Sequence, residues 1–203
     1  DRSPSRGLGD VYKRQILYLV ERTFKMNWEL SVLHWFESLH NPVLDPVMKG
    51  LTFLGNAGCF WIALAVVLLF FKRTRKIGIT MAVSLVLSLI FTNLIIKNLV
   101  NRTRPFVADP TLLQTMLVKL PSDSSFPSGH TSASVAAAVA IFTRNKKWGI
   151  PAVVLAVLIG VSRLYLTVHF PTDVIAGLLL GIIYGVGAYF ITSKLIYKNK
   201  TSE

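Results

Sequence analysis

At 203 residues, 52% of them hydrophobic and only 16% charged, the chain is long enough for one domain and too apolar for an ordinary soluble one. Its net charge of +12 invites a polyanion as partner, but ten of the basic residues fall in three clusters, at 72–76, at 144–147 and at Lys194, Lys198 and Lys200. That placement marks membrane topology rather than a nucleic-acid surface. A lone cysteine, Cys59, excludes an intramolecular disulfide and reads as a packing residue.

Residues 1–25 begin DRSPSRGLGDVYKRQ, with no initiating Met and no apolar periodicity. They are expected to be a non-native or disordered extension, with Met26 as the natural start and no cleavable signal peptide. From 27 to 40, Trp28, Val32, Trp35 and Leu39 recur at helical spacing, while Glu29, Glu37 and Ser38 fall elsewhere. An amphipathic helix at the membrane interface is predicted, stopped by Asn41-Pro42. His34 and His40 lie six apart, off a common face, and read as interfacial polar residues rather than ligands. Five apolar runs follow, at 53–71, 77–96, 128–143, 150–168 and 172–193, with Gly55, Asn56 and Gly58 opening the first. About 20 apolar residues cross the roughly 30 Å hydrocarbon core of a bilayer, so each run is a predicted span. The basic clusters follow the first, third and fifth spans, hence face one side, which the positive-inside rule makes cytoplasmic. The loop 98–127, punctuated by Pro105, Pro110, Pro121 and Pro127, is too long to be idle, and a short interfacial helix is predicted near 111–119. The fold class is all-α: a polytopic membrane helix bundle of about five transmembrane helices plus an N-terminal interfacial helix, one domain over 26–203.

Three segments carry the chemistry. KNLVNRTRP (97–105) leaves the second span, PSGHTSA (127–133) enters the third, and SRLYLTVHFPTD (162–173) joins the fourth to the fifth. Span parity puts all three at the face opposite the basic loops. Lys97, Arg104 and Arg163 supply three cations there, and a guanidinium fork or an ammonium suits phosphate oxygens. Counting at 1.5 Å per residue from Ile150, Arg163 lies about 20 Å deep, where a charge needs a partner. A phosphate fits it better than Asp173, the one acid inside a span, which has a nearer partner in His169. Ser128, Gly129 and His130 form the first turn of the third span, where free N–H groups and the helix dipole favour an anion. The alternative is that Ser128 is a plain N-cap and Gly129 a hinge. His169 and Asp173 are four apart across Phe170-Pro171. An Asp that fixes one imidazole nitrogen leaves the other as a nucleophile, and His130 then stands as the group that protonates a leaving oxygen. No cluster of carboxylates is present to hold Mg²⁺, so no metal and no cofactor are expected.

K-x6-R-P (Lys97 to Arg104-Pro105), P-S-G-H (127–130) and S-R-x5-H-x3-D (Ser162 to Asp173) together resemble the three-part signature of the type 2 phosphatidic-acid phosphatase superfamily, over roughly residues 50–195. The resemblance implies a metal-independent membrane phosphatase working through a phosphohistidine. In it His169 is the nucleophile, Asp173 its orienting partner and His130 the general acid, while Lys97, Arg104, Ser128, Gly129 and Arg163 hold the phosphate. Small bacterial members act on polyprenyl diphosphates, phosphatidylglycerophosphate and related lipids. Undecaprenyl diphosphate is the favoured expectation, with phosphatidylglycerophosphate or phosphatidic acid as alternatives. The expected setting is the bacterial cytoplasmic membrane, with the bilayer and a lipid phosphate as partners, no nucleic acid, and the site on the extracytoplasmic side. Two rivals are weaker. A lipid-phosphate binding or transport protein uses the cations but leaves His130 and the His169–Asp173 pair idle. A vanadate-dependent haloperoxidase resembles the anion site but is soluble.

Overall fold

In a computed structural model, which describes residues 28–198, the apolar runs become helices and no strand occurs among the described residues. The expected extension at 1–25 lies outside those residues, as does Lys200. Residues 28–38 form α1. It is followed by α2 (Leu44–Gly55), α3 (Cys59–Phe70), α4 (Arg75–Leu87), α5 (Lys97–Val100), α6 (Pro105–Ala108), α7 (Gly129–Arg144), α8 (Lys146–Tyr165) and α9 (Pro171–Lys198). A π-helical stretch, Ser88–Ile96, joins α4 to α5 in one rod.

Four segments are long and apolar enough to cross a bilayer: Leu44–Phe70, Arg75–Ala108, Lys146–Tyr165 and Pro171–Lys194. Correspondingly, the third predicted span is α7, and it differs in kind. It has 16 residues, about 24 Å at 1.5 Å each. Ser132, Ser134, Ala136, Ala137 and Ala140 are all buried in it, because α4, α8 and α9 enclose it. A helix that meets protein on every side needs small residues for close approach more than it needs a lipophilic surface.

The first span also departs from expectation. It begins at Leu44 rather than at 53, and Asn56–Gly58, expected to open it, form a kink inside it, with Ala57 at φ 49° and Gly58 at φ 68°. Asp45 and Lys49 disguised the early start. Asp45 is accommodated because Tyr165 Oη donates to its Oδ1 at 2.6 Å. Cys59, expected inside the packing, is exposed on α3.

Small residues set the helix spacing. Gly177, Gly181 and Gly185 recur every fourth position on α9 and lie against α7. A Cβ added at Gly185 would stand 2.6 Å from Val139 Cβ and 2.9 Å from the Ala136 carbonyl, whereas one at Gly187 would meet nothing within 4 Å. Gly185→Leu is therefore expected to lower the melting temperature in detergent, at the scale of about 1–3 kcal/mol for overpacking. Gly187→Ala should leave it unchanged. Equal melting of the two variants would contradict this packing. At the same end as the basic loops, Arg144 donates to Thr80 Oγ1 (3.0 Å) and Thr192 Oγ1 (2.7 Å), clamping α7 to α4 and α9. It does more than mark topology.

The N-terminal helix does not simply lie on the interface. Trp35 is exposed as expected, but Leu33 is buried against Phe106, Leu112 and Phe170. His34 bridges Glu37 (2.8 Å) and Asp109 (2.9 Å), and His40 bonds to the Tyr165 carbonyl (2.8 Å). Thus α1 is docked over the long loop. That loop holds α6 and a 3₁₀ turn at Pro110–Leu113 instead of the predicted helix near 111–119.

Candidate active site

The three chemical segments meet at the end of the bundle opposite Arg144, and the backbone ties them together. Lys97 comes from α5, which ends at Asn101 in the left-handed region (φ 44°), a conformation Asn tolerates. The chain then runs extended through Arg104 to Pro105, the first residue of α6. Arg102 O accepts from Ser125 N–H (2.9 Å), and Ser128 N–H donates to Asp173 O (3.0 Å). The second bond fixes the start of α7 to the first turn of α9.

A cavity of about 530 Å³ opens there, and Lys97, Arg104, His130, Arg163 and His169 all line it. Five of the eight residues singled out in the sequence thus share one space. Asp173 sits behind His169, fully buried. Ser128 and Gly129 are absent from the cavity wall. Ser128 Oγ is the N-cap of α7, accepting from Thr131 N–H (3.4 Å) and from Thr131 Oγ1 (2.9 Å). Gly129 lies where a Cβ would stand 2.7 Å from Asn93 Oδ1, so its smallness serves the approach of the π-helical segment.

Lys97 and Arg104 share one acid, and Arg163 is held apart from it. Arg104 donates from Nη1 to the Val168 carbonyl (2.7 Å), from Nε to the Asp123 carbonyl (3.0 Å), and from Nη2 to Asp123 Oδ1 (2.5 Å). Lys97 Nζ pairs with the other carboxylate oxygen of Asp123. Arg163 Nη1 donates to Thr52 Oγ1 from the first rod, while its buried Nε has no hydrogen-bond partner. Among the described residues no acid lies within ion-pair distance of Arg163, although Asp123 is close enough to act on its charge.

His169 turns Nε2 toward Arg104 Nη1 at 3.2 Å, on the cavity side. Its Nδ1 lies 3.5 Å from Asp173 Oδ2, an ion-pair separation without a formed hydrogen bond. Burial lowers the His169 pKa below its ordinary 6.5 despite the opposing pull of Asp173, and Arg163 and Arg104 lower it further, so the ring is neutral near pH 7. His130 Nε2 donates to Asn56 Oδ1 at 2.9 Å, from the kink in the first rod. Burial works to raise the Asp123 carboxyl, but the hydrogen bond and charge of Lys97, with Arg104 behind them, hold it at about 2.

Sequence reasoning missed the residues that hold Asp173. Arg102 Nη1 donates to its Oδ1 at 2.6 Å, and Ser125 Oγ and the Phe170 N–H donate to its Oδ2 at 2.5 and 2.9 Å. Arg102 also donates from Nη2 to Glu29 Oε2 of α1 (2.6 Å), and its guanidinium lies 4.1 Å from the Phe170 ring centroid. The one available signal was Arg102 itself, inside the quoted NRTRP and two positions from Arg104. Among the described residues, no three His, Cys, Asp or Glu side chains gather as a metal site.

A multi-pass helical bundle that brings a buried histidine together with Lys97, Arg104 and Arg163 in one cavity, with Lys49 and Lys119 also on its wall, fits a membrane lipid phosphatase. The chain belongs to the PAP2 superfamily, whose family model matches residues 77–197. Undecaprenyl-diphosphatase BcrC of Bacillus subtilis is 34% identical over 165 residues, 79% of this chain and 81% of that one. A protein of Sulfolobus acidocaldarius named undecaprenyl-diphosphatase is 43% identical over 123 residues, covering 60% of this chain but only 58% of that relative's length. The crystal structure of a transmembrane PAP2-type phosphatidylglycerolphosphate phosphatase from Bacillus subtilis superposes with a TM-score of 0.66 at 29% identity, over 85% of this chain and 86% of that one.

Proposed function

We propose that the protein hydrolyses the terminal phosphate of undecaprenyl diphosphate, without a metal, through a phosphohistidine on His169. The single observation that carries the lipid diphosphate reading is the junction of two spaces. The cationic cavity shares Lys97, Asp123 and His130 with a groove of about 550 Å³ walled by apolar residues of α3 and α4, among them Ile62, Val66, Leu85 and Val86. A charged head and a long apolar tail therefore have adjoining places. Lys97, Arg104 and Arg163 supply three positive charges against the charge that gathers on the equatorial oxygens during transfer. The positive end of the α7 dipole, whose first turn carries His130 on the cavity wall, adds to them.

The steps follow from the side chains. The Nε2 lone pair of His169 attacks the terminal phosphorus, next to an oxygen held by Arg104. The bond from phosphorus to the bridging oxygen breaks, and His130, protonated as imidazolium beside the bound phosphate, gives that oxygen one proton and is left neutral, releasing the lipid monophosphate. His130 then takes a proton from a water whose oxygen attacks the phosphorus. The P–N bond breaks and inorganic phosphate is released. Asp173 keeps His169 oriented and stabilises the positive ring. Charge neutralisation by three cations does the work that a metal would otherwise do, which supports the metal-free reading.

The site is assigned to the extracytoplasmic face of the cytoplasmic membrane, because the basic residues of 72–76 and 144–147 lie at the other end of the bundle. The likeness to a phosphatidylglycerolphosphate phosphatase structure favours a second reading, in which that lipid is preferred. Phosphate release from undecaprenyl diphosphate, phosphatidylglycerophosphate and phosphatidic acid, each in detergent with excess EDTA, separates the two. Undecaprenyl diphosphate should be the fastest, at a rate EDTA does not change. Loss of activity to EDTA would overturn the metal-free chemistry, and a higher kcat/KM for phosphatidylglycerophosphate would move the substrate to the second reading.

A further inference from the structure

Among the described residues, Asp123 is the one acid lining the cationic cavity, and it also lines the apolar groove. It lies between the turn at Pro110–Leu113 and α7. Its carboxylate occupies two of the cavity's cations at once, taking Lys97 Nζ on Oδ2 and Arg104 Nη2 on Oδ1. The cations are buried, but the Asp123 side chain is 54% exposed. A carboxylate thus holds, from the solvent side, the donor groups that a phosphate needs.

Two roles fit such a contact: positioning the cations, or competing for them. The bonds to Arg104 favour competition. Its guanidinium is anchored by two main-chain carbonyls, those of Val168 and of Asp123 itself, and neither depends on the Asp123 side chain. Without the carboxylate, Arg104 keeps its place and gains a free Nη2. Lys97 is carried by the rigid rod that ends in α5, and the carboxylate is its one side-chain partner among the described residues.

We infer that Asp123 is a competing anion, which exchanges with phosphate on Lys97 and Arg104 and so weakens the hold on inorganic phosphate after each turnover. The inference rests on the proposal that these two cations grip the phosphate. Its chemical logic is that a site able to stabilise a highly charged transition state also binds its anionic product well, and product release then limits turnover. A tethered carboxylate returning to the same donors shortens that residence. Because the carboxyl ionises far below neutral pH, the competition operates across the working range without protonation.

Isothermal titration of inorganic phosphate into the full chain in detergent tests this, with Asp123→Asn and Asp123→Ser beside wild type. Both variants should bind phosphate about tenfold more tightly or better, the scale of one charge-assisted contact. Phosphate should inhibit their lipid hydrolysis at correspondingly lower concentration. Tighter binding in both variants supports competition. Binding unchanged or weakened in either overturns it, since the carboxylate would then be holding the cations in place. Absence of phosphate binding in wild type and variants alike would instead sink the phosphate-site assignment, and this inference with it.

Discussion

Replacing His169 by alanine should lower kcat for a lipid phosphate by at least about 10³-fold, the scale seen when a covalent nucleophile is removed. Binding of inorganic phosphate should survive. The separation follows from the geometry. His169 contributes one ring nitrogen to the cavity, whereas Lys97, Arg104 and Arg163 are held by Asp123, main-chain carbonyls and Thr52, none of which needs the imidazole. The ring is neutral near pH 7 because burial outweighs Asp173, so its Nε2 carries a lone pair rather than a proton when phosphate arrives. His169→Asn, nearer in shape, should be as inactive as the alanine variant. A binding or transport protein built on the same pocket would lose nothing measurable in ligand affinity and would have no turnover to lose. Steady-state kinetics together with phosphate titration of the two variants decides the matter.

Arg102→Ala is expected to damage both stability and rate, although Arg102 lines no part of the cavity. Its guanidinium joins two buried carboxylates, Glu29 and Asp173, at 2.6 Å each. Removing one partner of a buried pair costs about 3–5 kcal/mol, because the remaining charge has no water to turn to. Here two carboxylates lose their cation together. Asp173 would retain Ser125 and the Phe170 N–H, and Glu29 would retain Thr172, so folding in detergent is expected to survive with a lower melting temperature. With Asp173 loosened, His169 loses its orientation, and kcat should fall by roughly 10²-fold with little change in KM. Arg102→Lys should recover only part of either loss, since an ammonium reaches one carboxylate at a time and cannot stack its plane on Phe170. Glu29→Gln should be milder, as an amide oxygen still accepts from Thr172. Wild-type melting and kcat in Arg102→Ala would contradict this chain of contacts.

What the sequence revealed and what it hid follow one rule. Lys97, Arg104, His130, Arg163 and His169 were legible because ionisable groups within or beside apolar runs are costly and need a reason to be there. Arg163 is the clearest case: its depth pointed to a partner, and it lines the cavity with no acid at ion-pair distance among the described residues. The position of α7 was also close, 129–144 against an expected 128–143, because His130 is the only ionisable residue in that run before Arg144. Contacts between distant segments were hidden. Glu29 was read on the polar side of an interfacial helix, yet it meets Arg102 across 73 positions. Local periodicity contains no trace of such a pairing. The start of the first rod was hidden for a related reason. Asp45 and Lys49 break the apolar run, and the bond that makes Asp45 tolerable comes from Tyr165, 120 positions on. Ser128 shows a local role beside the motif's: its Oγ accepts from Thr131 as the N-cap of α7, the plainer of the two roles the sequence allowed.

The covalent intermediate is the most direct test of the account. Undecaprenyl diphosphate carrying a radiolabelled terminal phosphate is mixed with the protein, quenched in alkali during turnover, and the labelled peptide identified by mass spectrometry. The expected label is an alkali-stable, acid-labile phosphoryl group on His169, absent from His169→Ala. Turnover that proceeds with no label on the protein, or with the label on any other residue, would contradict the mechanism.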